Sequence, residues 1–143
     1  MGSKLRTVSW VLLALVGALV LLGSLASANL AYRGDFGIAG VTIGEVAGDR
    51  EPVLLGLRGA RGTAAAWAAA WAVLFLAVVF GPYRRGDVTT WWGILVSAIV
   101  LGAVAGARVV FTGAQAGTGT PLVLLVVVLV ALLIDVKRLT APR

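Results

Sequence analysis

The chain reads as an all-α membrane protein: a four-transmembrane-helix bundle with a long first extracytoplasmic loop, forming a single integral membrane domain over residues 1–143. Three observations predict this class. Of its residues, 60% are hydrophobic and only 13% are charged, against about 45–50% and about 25% in soluble domains. The mean hydropathy is +1.02. The apolar residues also gather in long runs, and the charges sit in the flanks between them. A spanning helix needs about 20 mostly apolar residues, with about 17–25 tolerated.

The first run covers about 8–28 and carries no charge. Lys4 and Arg6 precede it and Ala26-Ser27-Ala28 closes it, which is also the make-up of a cleaved signal peptide. Ala and Ser are so frequent here that such a tripeptide falls near helix ends by chance. The run is long enough to span, and residues 1–28 are read as a retained helix. Cleavage would leave the later runs oriented as before.

The outer loop, about 29–62, supports two local readings. Phe36/Ile38 and Val41/Ile43 alternate like short strands broken by glycines. Thr42-x-x-Glu45 instead spells a capping box opening a short helix. "DREPVLLGLRGARG" then offers a surface helix starting at an Asp49 cap and leading into the second span. Gly56, Gly59 and Gly62 interleave with Arg58 and Arg61, a pattern that suits a lipid phosphate held by backbone N–H groups and guanidinium. The competing account is a flexible glycine-rich approach with its arginines in water.

The second run, about 63–81, opens with "TAAAWAAAW", which sets Trp67 and Trp71 one turn apart on one helix face, and stops at Gly81-Pro82. The third run, about 90–112, carries one charge, Arg108, near its far end. Ala98, Gly102 and Gly106 recur every four residues there, the small-residue spacing that lets membrane helices approach closely. The fourth, about 117–134, has Thr120 as N-cap and Pro121 at the first helical position. Its Val-rich middle would suit a strand in water, but an isolated strand leaves its backbone unsatisfied in lipid, so a helix is expected.

Lys4, Arg6, Arg84, Arg85, Lys137, Arg138 and Arg143 fall on one side of this layout. By the positive-inside rule that side is cytoplasmic, placing both termini inside the cell membrane. Arg33, Arg50, Arg58, Arg61 and Arg108 lie on the other, with Asp35, Glu45, Asp49 and Glu51 for balance. Trp10, Tyr83, Trp91 and Trp92 fall at the inner interface, and Tyr32, Trp67 and Phe111 near the outer one, as an aromatic belt requires. Asp135 sits among Lys137 and Arg138 as an interfacial charge cluster. The layout resembles that of claudin-like proteins in helix count and loop placement. Those carry paired cysteines in that loop and this chain has none, so the residues assign it to no family.

The chain has no Cys and no His. Thiol nucleophiles, thiolate metal sites, imidazole ligands and imidazole bases are thereby excluded. No residue is assigned a catalytic or metal-binding role, and no cofactor is expected. The net charge of +6 does not signal nucleic acid, because the bases flank apolar runs rather than lining one surface. The expected partner is the lipid bilayer, joined by a second copy or another membrane protein. The leading functional reading is a non-enzymatic accessory or interaction protein acting through helix faces and the outer loop. The alternative is a small-molecule or lipid carrier with a site near the outer face, where Arg108 and Gln115 supply polar contacts and Trp67 or Trp71 an apolar wall. An intramembrane charge such as Arg108 is costly and so a natural site candidate. A lipid-directed enzyme is a third class, for which no carboxylate pair has the needed spacing.

Overall fold

The computed structural model describes residues 2–34, 36–38, 40–112 and 119–140. They form an all-α protein. In order come α1 (Gly2–Arg33), a ladder of β1 (Gly37–Ile38) and β2 (Val41–Thr42), a short α2 (Ile43–Ala47) and α3 (Glu51–Val78). A π-helical turn (Val79–Tyr83) follows, then α4 (Val88–Thr112), α5 (Gly119–Ile134) and a closing 3-10 turn (Val136–Thr140).

Three helical stretches are long and apolar enough to cross a membrane: Lys4–Arg33, Glu51–Tyr83 and Val88–Phe111. The fourth apolar helix, α5, has 16 residues. At 1.5 Å per residue it extends about 24 Å, less than the roughly 30 Å hydrocarbon layer. The fourth run was expected to start near Gly117, and both that start and Gln115 lie outside the described residues. Helix α5 already includes Gly119 and Thr120, so Thr120 does not stand before the helix as a cap.

The chain divides into two compact units, one of Gly17–Leu74 and one of Met1–Val16 with Phe75–Arg143. In the Gly17–Leu74 unit, the connection between long helices is shorter than the 29–62 read from the sequence. Helix α1 continues to Arg33, since nothing in 29–33 breaks it, and it closes where Gly34 N–H donates to Leu30 O at 3.1 Å. Helix α3 opens at Glu51, with Val53 and Leu54 N–H groups donating to Arg50 O. Pro52 stands in the first turn, where a missing N–H costs nothing. The helix runs unbroken through Gly56, Gly59 and Gly62 into the alanines from Ala64 onward, so the surface helix and the second run are one element. Gly62 has a packing reason: a Cβ there would fall 2.5 Å from the Tyr32 hydroxyl.

Both readings of the connecting segment are realised, one after the other. β1 and β2 pair antiparallel, Gly37 with Thr42 and Ile38 with Val41. Gly40 takes φ +90° in the turn, a conformation side chains disfavour. Thr42 then ends the ladder and caps α2. Its Oγ1 accepts from Glu45 N–H at 3.2 Å, while Glu45 Oε2 accepts from Thr42 N–H at 2.7 Å and from Thr42 Oγ1 at 2.9 Å. Ile43 and Ala47 bury α2's inner face. Gly48, at φ +54°, closes it with an N–H bond to Gly44 O at 2.8 Å.

In the other unit α4 packs on α5. Ala98 is buried, and a Cβ at Gly102 would meet Leu125 Cδ2 at 3.0 Å. Gly106, the next member of the row, has nothing within 4 Å of its Cβ position. The small-residue row is thus used within the chain at one end and open at the other. Val96, Ile99, Val100, Val104, Val110 and Phe111 leave an exposed apolar surface along α4.

Candidate functional site

The densest polar arrangement lies in the unit of Met1–Val16 and Phe75–Arg143, where α1 meets the π turn and the end of α5. A helix leaves its last four carbonyls without intrahelical donors. Two of these on α5 are satisfied by side chains from elsewhere. Ser9 Oγ donates to Ala131 O at 2.8 Å, and Trp91 Nε1 donates to Leu132 O at 3.1 Å. Leu132 O also accepts from Asp135 N–H at 3.2 Å. Ser9 has one proton and gives it to a carbonyl, so the 2.7 Å contact between Ser9 Oγ and Tyr83 Oη is donated by Tyr83. Ser9 and Tyr83 are both 0% exposed, Asp135 only 7%.

The π turn brings Tyr83 there. Gly81 departs from helical geometry (φ −88°, ψ −106°) and Pro82 follows it inside the turn, a usual setting for such insertions. The chain then reverses through Gly86 at φ +99°. Asp87 caps α4, accepting from Thr90 N–H at 2.9 Å, Thr89 N–H at 3.3 Å and the Thr90 hydroxyl. Two arginines settle on this reversal. Arg6 donates to Arg84 O at 2.5 Å, with its guanidinium where a Gly86 Cβ would otherwise be, and Arg84 lies 5.0 Å over the Trp10 ring. Phe80 backs Trp10 at 6.0 Å.

A second cluster belongs to the Gly17–Leu74 unit. Arg61 donates from Nε to Ser27 Oγ at 3.1 Å, and its guanidinium stands 4.1 Å over the buried Phe36 ring. Arg58 is half-buried with its Nε covered. Because α3 is helical here, the N–H groups of Gly56, Gly59 and Gly62 belong to helix bonding. A phosphate at this place would be held by arginine side chains alone, not by the glycine backbone.

Of the residues proposed for a carrier site, Trp67 and Trp71 belong to the Gly17–Leu74 unit and Arg108 to the other, and Gln115 lies outside the described residues. Trp67 is 74% exposed, and Trp71 at 38% is also on the surface. Arg108 is exposed on α4. Tyr83 and Trp91, expected in an aromatic belt, and Asp135, expected in an interfacial charge cluster, are all buried against the rest of the protein. Ser9 was missed altogether. Its only signal was a small polar residue one position before Trp10, which has no meaning until α5's carbonyl end is known to lie there. Comparison with protein-family models, curated proteins and solved structures finds no match.

Proposed function

We propose that the chain is a multi-pass protein of the cell membrane, with α5 as its fourth span and both termini cytoplasmic, that works as a non-enzymatic accessory or interaction protein. The observation that carries this reading is how its polar side chains are used. Ser9, Tyr83, Trp91, Asp87, Thr42, Glu45 and Arg61 close turns, helix ends and helix contacts. What the helices present outward is apolar surface with small-residue gaps, the material of contacts between membrane helices. The exposed side of α4 around Gly106 is the favoured contact face for a second copy or another membrane protein.

The test is the size of the purified protein in mild detergent, by light scattering, together with cross-linking in native membranes. A defined oligomer or a retained partner is expected, and Gly106→Leu should weaken it. A strict monomer that retains nothing would overturn the reading. Ligand-induced thermal stabilisation abolished by Arg108→Ala would move the assignment to a carrier.

A further inference from the structure

We propose that the arginine pair Arg6 and Arg84, set on Trp10 at the Gly86 reversal, binds the phosphate of an anionic phospholipid. The inference rests on the membrane reading above, but not on which leaflet this end faces.

Arg6 and Trp10 stand one turn apart on α1, on the same face, as residues four apart do. Arg84 reaches that face from the reversal between the π turn and α4 and covers the indole at 5.0 Å. Arg6 is pinned to Arg84's own carbonyl at 2.5 Å. The Arg6 guanidinium is therefore held at the Arg84 carbonyl beside Gly86, and the Arg84 guanidinium over the Trp10 ring. Among the described residues neither forms an ion pair. Asp87, the nearest acid in sequence, turns both oxygens to the N-terminus of α4. Arg85 adds a further exposed cation beside the pair.

Gly86 completes the arrangement. Its φ of +99° suits glycine, and a Cβ there would lie 2.7 Å from Arg6 Nη2, so the bare backbone makes room for the guanidinium. The planar guanidinium fork matches phosphate oxygens in geometry and charge. Trp10, backed by Phe80, supplies an amphipathic ring of the kind that settles at headgroup depth. Basic pockets at the ends of membrane helices, next to such rings, are where acidic headgroups bind.

The test uses the full chain in nanodiscs made from an equal mixture of phosphatidylglycerol and phosphatidylcholine. Lipid retained after gentle release is identified by native mass spectrometry. Wild type should keep phosphatidylglycerol in preference. Arg6→Gln/Arg84→Gln should lose it, by about fivefold per arginine, while Arg33→Gln/Arg50→Gln, an equal loss of charge elsewhere, should not. Arg84→Lys keeps the charge without the fork and should lie between, which covers the case of a double variant that does not fold. Equal retention of both lipids by wild type overturns the proposal, as does equal loss in the control pair. Displacement of the lipid by excess inorganic phosphate also overturns it, showing a site for the free anion. In each of these outcomes the protein still enters the nanodisc, so the membrane reading stands or falls separately.

Discussion

Ser9 shows how much a single small side chain does in this chain. It joins three elements by donating to Ala131 O on α5 and accepting from Tyr83 at the π turn while seated on α1. Ser9→Ala leaves a buried carbonyl and a buried phenol each short of one bond. Such losses are about 1–3 kcal/mol in water-soluble proteins and average about 0.6 between membrane helices, so a destabilisation of about 1 kcal/mol is expected. Equilibrium unfolding in mixed detergent would measure it. Tyr83→Phe should cost less, because the Ser9–Ala131 bond survives it. If Ser9→Ala unfolds like wild type, the side-chain capping of α5 is not a stabilising contact.

At the level of elements, the small-residue row on α4 separates into parts with different fates. Gly102→Leu drives a side chain into Leu125, already 3.0 Å from the Cβ position, and should destabilise the α4–α5 contact by about 1–3 kcal/mol. Gly106→Leu meets open space and should fold with stability within about 0.5 kcal/mol of wild type; the same unfolding assay distinguishes them. The capping box of α2 responds to acid. Hydrogen bonds from the Thr42 backbone N–H first, then its side chain, hold the exposed Glu45 carboxyl below its ordinary value. A depressed folded pKa means the stabilising effect is complete above the ordinary carboxylate range and fades as pH falls through the lowered one. Amide protection over Ile43–Ala47, corrected for intrinsic exchange, should drop between neutral and strongly acidic pH in wild type but not in Glu45→Gln. The box itself was legible from Thr42 and Glu45, because it is a local pattern with a local cause. The extension of α3 back to Glu51 was half legible. The surface-helix reading was available, but glycines at 56, 59 and 62 spoke against continuity, and the reason for Gly62 is Tyr32, thirty positions away.

For the whole molecule, composition alone makes hydrocarbon the expected solvent, and three lipid-length helices agree with it. The buried hydrogen-bond hub was not legible, since it depends on which helix end meets which turn. Whether α5 is a span, as proposed, decides the orientation: an even number of crossings puts both termini in one compartment, an odd number puts them in two. Reporter fusions before Met1 and after Arg143 should read the same side, and the cytoplasmic one by the charge bias. Opposite readings would leave α5 lying outside the set of spans. The π turn has a consequence of its own, beyond aiming Tyr83. Each residue of a helix advances the azimuth by about 100°, so the widened turn sets the phase of everything that follows it. Removing one residue from 79–82 would keep every member of the hub in the sequence and yet swing the phenol and Arg84 more than a quarter revolution away from α1. A one-residue deletion there should therefore be more damaging than any single side-chain replacement in the same stretch, because it alters the angular address of a whole surface rather than the chemistry of one position.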